Sequence, residues 1–286
     1  MPGFTIAKAL VEAAQILRKA GVVESRRDAA SLLANVIGRD YTYLIAHADA
    51  ELSMSDANRL REFTERRAGG EPLQYVLGHQ YFFNLDFEVA PGVLIPRPET
   101  EILVEKTLTL IGQMEEPLIC DVGTGSGCII ISLLHDRPGA RGVALDISPK
   151  ALNIARRNAD RLEVSNRLDL RQSDCFAAVT ANERFNFIVA NPPYVPEGAY
   201  GTLQREVRDH EPVEALVSGP DGLNMIRRLL RDAWDFVSPN GYFLFEIGFD
   251  QYEAVLALVS QSKWTLIEVL DDLQSIPRIV VIRKTA

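Results

Sequence analysis

The chain has 286 residues, 47% hydrophobic and 24% charged, with a formal net charge of -9. That length accommodates two domains and a sizeable core, and the composition is that of an ordinary globular protein. The acidic balance argues against a broad, sequence-independent grip on nucleic acid, and no apolar run approaches the roughly 18 residues of a membrane span.

Residues 1–72 read as an all-helical domain. Ile6, Ala9, Leu10, Ala13, Leu17 and Ala20 fall on one helical face, and Glu12 interrupts any signal-peptide core. Ala29, Leu32, Leu33, Val36 and Ile37 repeat the pattern, with Gly38 as the stop. Ser55 or Asp56 is expected to cap a third helix that carries Leu60 and Phe63 and ends at Gly69-Gly70. No chemical cluster marks this part, so partner contact is its expected use. Residues 73–95 read as a linker. Tyr81-Phe82-Phe83 and Phe87-Glu88-Val89, with Asn84 between them, predict a short hairpin there.

Residues 96–286 form the second domain. Ile95-Pro96-Arg97-Pro98-Glu99-Thr100-Glu101 is a proline-stiffened loop, and Glu99 or Thr100 starts a helix with Ile102, Leu103 and Leu108 on its apolar face. Beyond it, seven strand candidates (118–121, 142–146, 168–171, 187–190, 242–247, 265–270 and 278–283) alternate with helical stretches at 128–135, 149–160, 223–237 and 251–260. Such alternation predicts an α/β fold, a doubly wound, mostly parallel sheet of seven strands. Cys120, Cys128 and Cys175 are odd in number and lack C-x-x-C spacing, so reduced thiols in a cytoplasmic protein are expected, with no disulfide framework and no zinc.

Asp121-Val122-Gly123-Thr124-Gly125-Ser126-Gly127 lies between the first of these strands and its helix. The glycines permit a tight turn and close approach of a ligand to the backbone. Asp146 ends the next strand, 19 residues after Gly127, where a carboxylate can accept both hydroxyl hydrogens of a ribose. The spacing is G-x-G-x-G, not the G-x-G-x-x-G of dinucleotide sites, which points to a nucleoside ligand. Asp174, just past the third strand, could accept from an adenine amino group with Cys175 or Phe176 against the ring; a turn-forming Asp is the alternative.

Asn191-Pro192-Pro193-Tyr194 follows the apolar run Phe187–Ala190. The prolines force a turn at the carboxyl end of a strand, where open α/β sheets bind ligands. A planar NH2 group suits this turn, since its hydrogens can go to the Asn191 side-chain oxygen and a proline-region carbonyl while Tyr194 packs on its plane.

Glycine loop, strand-end acid and N-P-P-Y together resemble a class I, Rossmann-like methyltransferase. Glu71-Pro72-Leu73-Gln74-Tyr75, Leu94 to Glu101, Glu211-Pro212 and Ala215-Leu216 through Asp221-Gly222-Leu223 narrow this to a resemblance to the peptide-chain release factor glutamine N5-methyltransferase family, over essentially the whole chain. The resemblance implies transfer of methyl from S-adenosylmethionine, leaving S-adenosylhomocysteine, to the glutamine amide in the Gly-Gly-Gln motif of class I release factors. It implies no metal, no membrane and no direct nucleic-acid partner. Gly123, Thr124, Gly125, Ser126, Gly127, Asp146, Asp174, Cys175 and Asn191 would bind the cofactor. Asn191, Pro192, Pro193 and Tyr194 would bind the glutamine, with Asn191 and Tyr194 catalytic. Arg97 and Glu99 fall in a site-lining segment without an assigned contact. Two positions depart from the family: Cys175, where a bulkier side chain is common, and Ser275, where many members carry glycine, a change expected to alter a turn and not the chemistry. The competing readings are a ribosomal-protein glutamine methyltransferase, a nucleic-acid amino methyltransferase acting on a flipped adenine or guanine, and a non-catalytic cofactor-binding module.

Overall fold

The computed structural model describes residues 4–285; residues 1–3 and 286, at the outer ends of the expected domains, lie outside the described residues. By its contacts the chain divides into two units, one running up to Gly78 and including Gln204–His210, the other formed by His79–Leu203 and Glu211 onward.

The first unit is helical. α1 (Ile6–Lys19) starts at Thr5, whose hydroxyl accepts the Lys8 N–H, and α2 (Ser25–Ile37) stops at Gly38, which is left-handed. A short α3 (Tyr41–Ala46), not apparent from periodicity, is capped by Asp40. α4 (Met54–Ala68) is capped by Ser53 and not by Ser55 or Asp56. The Ser53 hydroxyl accepts the Asp56 N–H at 3.0 Å and donates to the Asp56 carboxylate at 2.7 Å, so Asp56 occupies the third helical position. α5 (Leu73–Leu77) closes the unit with Gly78 left-handed. Leu17, Leu32, Leu33, Leu44, Leu60 and Phe63 meet in its core. The short helix Arg205–His210 belongs here as well. Arg67 joins Asp28 at 2.8 Å to Glu206 at 2.6 Å, and Arg205 donates to the Gly69 carbonyl.

The second unit opens with a hairpin of β1 (His79–Phe82) and β2 (Leu85–Glu88). Phe83 and Asn84 form its two-residue turn, both at positive φ. A 3-10 turn at Pro98–Thr100 leads into α6 (Glu101–Ile111). Then follow β3 (Leu118–Val122), α7 (Cys128–Asp136), β4 (Arg141–Asp146), α8 (Pro149–Arg161), β5 (Leu168–Gln172) and β6 (Phe185–Ala190). After α9, the Arg205–His210 helix, come α10 (Asn224–Asp232), β7 (Val237–Glu246), α11 (Tyr252–Ser260), β8 (Thr265–Asp271) and β9 (Pro277–Arg283). The helix expected over 223–237 is shorter, because a 3-10 turn at Ala233–Asp235 follows it and Val237 already pairs with Phe185.

β3 to β9 make one sheet in the order β5-β4-β3-β6-β7-β9-β8, parallel except for β9, which runs antiparallel to both its neighbours. Helices cover both faces, so central strands are apolar on both sides. Along β6, Phe187 and Val189 enter one core with α6, α7 and the hairpin residues Phe82 and Phe87. Ile188 and Ala190 enter the other, with α10 and α11. Strand order reverses between β4-β3 and β3-β6, which opens a crevice at the carboxyl ends of those strands.

Candidate active site

That crevice is a cavity of about 590 Å³. Its floor is the β3–α7 loop. Gly123, Gly125 and Gly127 have φ of +78°, +57° and +82°, a left-handed backbone that favours glycine. The N–H groups of Gly123 and Thr124 both donate to the Leu145 carbonyl, at 2.8 and 3.0 Å. Gly125 N–H donates to Asp146 Oδ2 at 2.8 Å, and Ser148 N–H to Asp146 Oδ1 at 2.9 Å. Asp146 thus ties loop to strand end and orders the approach to α8, and it lines the cavity. Burial raises its pKa above the ordinary value, against the pull of those backbone donors.

Of the residues expected at the site, Gly123, Thr124, Gly125 and Ser126 line the cavity, as do Asp146, Asp174 and Cys175 and also Asn191, Pro192 and Pro193. Gly127 and Tyr194 are not in the wall. A side chain at Gly127 would put Cβ 2.6 Å from Ile131 Cδ1, so this glycine lets α7 pack. Asp174 is exposed and ion-paired with Arg228 at 2.6 Å, and that hydrogen bond holds its carboxyl below the usual range. Phe176 is turned into the core and stacks on Phe236. Cys175 faces the cavity instead, its sulfur 3.5 Å from Met225 Sδ, and burial pushes its thiol up. Arg97 also lines the cavity, held by the buried Glu211 at 2.5 Å. Glu211 also accepts the Ile95 N–H.

The polar network behind Asn191 was not foreseen. Asn191 Nδ2 donates to Thr100 Oγ1 at 3.0 Å, and Thr100 Oγ1 donates to Glu246 Oε2 at 2.6 Å. The Tyr194 hydroxyl donates to Glu246 Oε1 at 3.3 Å. Glu246 is buried; burial raises its carboxyl to about 7 against the Thr100 hydrogen bond and the Arg278 charge. Burial, reinforced by Glu246, keeps the Tyr194 phenol protonated and hence a donor. The Tyr194 carbonyl accepts from Gln251 Nε2 at 3.0 Å, which pins the turn from the other side. One signal of this was present in the sequence: Glu246 interrupts the apolar run Phe243-Leu244-Phe245 and Ile247. Such a residue in a central strand needs polar partners. Asp121 is similar, fully buried and raised to about 7 by burial, with Thr124 donating to Oδ2.

The sheet with its single antiparallel strand, and a glycine-floored cavity at its switch point, define a class I S-adenosylmethionine-dependent methyltransferase. Solved structures agree on the fold: a methyltransferase from Pyrococcus furiosus matches at TM-score 0.54 and 17% identity, over 80% of this chain and 100% of that one. The hMettl16 catalytic domain matches at 0.57 and 17%, over 81% and 82%. Residues 8–78 match the PrmC N-terminal domain model and residues 99–210 the methyltransferase small domain model. The release factor glutamine methyltransferase of Koribacter versatilis is 41% identical over 280 residues, 98% of this chain and 99% of that one. The one from Moorella thermoacetica is 44% identical over 251 residues, 88% of each. This chain belongs to the release factor glutamine methyltransferase family.

The residues present suit S-adenosylmethionine. Asp121 Oδ1 and Ser126 Oγ are buried without a hydrogen-bond partner among the described residues, beside the loop that a polar tail would reach. Asp146 retains acceptor capacity for ribose, and Ile129, Ile147, Met225 and Leu229 supply apolar wall for a base. Among the described residues no group of three or more His, Cys, Asp or Glu gathers as a metal site, and no helix is long and apolar enough to cross a membrane.

Proposed function

We propose that this enzyme methylates the side-chain amide nitrogen of the glutamine in the Gly-Gly-Gln motif of class I peptide-chain release factors. The observation that carries the reading is the Asn191-Pro192 turn, at the carboxyl end of β6 and in the wall of the cavity, with the Asn191 amide nitrogen already engaged by Thr100. The amide oxygen is thereby left to accept from an incoming NH2 group. An amide nitrogen is a poor nucleophile because its lone pair is delocalised into the carbonyl. Asn191 Oδ1 and the Pro192 carbonyl accept its two hydrogens, fix the nitrogen and let it pyramidalise. Tyr194, outside the wall and anchored through its hydroxyl, holds the turn that carries Asn191. S-adenosylmethionine, when bound, supplies an electrophilic sulfonium methyl. Gly123 to Ser126 and Asp146 hold it, and Asp174 and Cys175 edge its base. Positioning of this kind is worth up to roughly 7–11 kcal/mol in the best intramolecular models. The helical unit serves partner recognition in this reading, since it carries no chemistry of its own.

The test is methyl transfer from labelled S-adenosylmethionine to purified class I release factor, with a Gln→Ala change in the Gly-Gly-Gln motif as control. Label is expected only on the intact motif. Label on ribosomal protein or nucleic acid instead would replace the substrate assignment. Asn191→Ala is expected to lose turnover far more than cofactor affinity, and equal losses would remove Asn191 from the acceptor site.

A further inference from the structure

We propose that Thr100 and Glu246 are positioning residues that decide which end of the Asn191 amide faces the methyl acceptor. The inference rests on the reading of Asn191 as the clamp for the acceptor NH2 group. An asparagine side chain is nearly symmetric in shape, and its two ends are opposite in hydrogen-bonding character: oxygen accepts, nitrogen donates. Presented with its nitrogen forward, Asn191 would meet an acceptor NH2 donor to donor and repel it. Something must fix the orientation.

The fixing runs through a single proton. A threonine hydroxyl has one hydrogen to give and lone pairs with which to accept. When Glu246 is ionised it can only accept, so at 2.6 Å the Thr100 hydrogen is committed to Glu246 Oε2. Thr100 Oγ1 can then only accept from Asn191, and only Nδ2 can donate to it, as found at 3.0 Å. Oδ1 is turned away from Thr100 as a consequence. The second carboxylate oxygen accepts from Tyr194, so the same buried acid also anchors the turn that carries Asn191. Three separate elements meet here, the 3-10 turn before α6, the end of β6 and the end of β7. Thr100 and Glu246 are 2% and 1% exposed, so water is a poor substitute for either bond. A chain of hydrogen bonds with every partner satisfied rigidifies what it holds.

The experiment compares wild type, Thr100→Val and Thr100→Ser in two assays. In steady-state methylation of release factor, Thr100→Val is expected to lower kcat roughly tenfold or more, the worth of one buried hydrogen bond. Its Kd for S-adenosylmethionine should stay within about twofold of wild type, since the lost interaction is to the acceptor. Thr100→Ser, which keeps the hydroxyl, should restore most of the turnover. The second assay needs no acceptor: with nitrogen-15-labelled asparagine, the Asn191 side-chain protons should show slow exchange in wild type and Thr100→Ser and lose it in Thr100→Val. Thr100→Cys carries the same comparison if the valine variant does not fold, because a thiol is a weak acceptor. An unchanged Asn191 side-chain signal in the Val or Cys variant, or unchanged kcat, would overturn the relay. Failure of the wild type to methylate release factor would count against the substrate assignment instead, and the exchange assay would still decide the relay.

Discussion

Ser275 sits at φ +61°, in the turn between β8 and β9 where Asp272 accepts the N–H groups of Gln274 and Ile276. That is left-handed backbone, which costs a residue with a Cβ roughly 1–2 kcal/mol and glycine almost nothing. The departure from glycine noted in the sequence therefore has a local cost and leaves the cavity untouched, since no residue of this turn lines it. Ser275→Gly should raise stability by at most about 1 kcal/mol, part of the gain being offset by glycine's greater freedom in the unfolded chain. Ser275→Val should lower it, because a β-branched side chain tolerates this conformation worst. Urea unfolding of the three proteins checks this, and methylation rates should be equal. A valine variant as stable as wild type would mean that the turn relaxes freely.

At the scale of elements, the N-P-P-Y turn is built as much by what lies under it as by its prolines. Val195 and Val217 form a bridge, so residues 216–219 run alongside the chain leaving the turn. Gly222 then passes directly beneath Tyr194. A Cβ there would lie 2.2 Å from the Tyr194 carbonyl oxygen and 2.7 Å from Gln251 Nε2, at φ +75°. Gly222→Ala should cost at least about 2 kcal/mol and most of the activity, from backbone strain and a clash with main chain that cannot move alone. Gly198→Ala, with nothing within 4 Å of its added Cβ, is the control and should stay within about 0.5 kcal/mol. Equal stability of the two variants would show that the turn yields. The same elements show what a sequence can disclose. All seven strands of the large sheet were legible, because central strands are largely apolar runs and the helices between them carry period. The short helices α3 and α5 were not, being too brief for periodicity. Nor was the insertion of β9 between β7 and β8, since pairing partners are chosen by tertiary packing. The glycine loop, Asp146 and Asn191 were legible because motif and strand end coincide. Thr100 was read only as a helix start, since its partners lie 91 and 146 residues away.

Across the whole molecule, buried acids set the response to pH. Asp121 and Glu246 are both raised to about 7 by burial, and Asp146 is raised as well. Glu183, hydrogen-bonded by Arg171, and Asp221, hydrogen-bonded by Arg227, are lowered to about 2. The two sets act in different windows. As pH rises from about 2 to 4.5, the lowered carboxyls bind fewer protons in the folded than in the unfolded chain, and stability grows. Between about 4.5 and 7, Asp121 and Glu246 keep protons that the unfolded chain has released, so stability declines. For a fully buried carboxyl raised from its ordinary value to about 7, the decline is on the order of 3 kcal/mol. Maximum stability is therefore expected near pH 4–5. Glu246 faces Thr100 and Tyr194 through hydrogen bonds and Arg278 and Glu99 through charge, and Gln in its place keeps the acceptor for Thr100 without titrating. Glu246→Gln should lose some stability at pH 4.5 and recover relative to wild type by pH 8, by up to about 3 kcal/mol. Urea unfolding of both proteins at intervals across that range measures the difference directly. A gap between them that does not change with pH would mean that Glu246 carries its charge in the fold at the ordinary carboxylate range. The descending limb would then belong to Asp121, which Asp121→Asn would flatten in its turn.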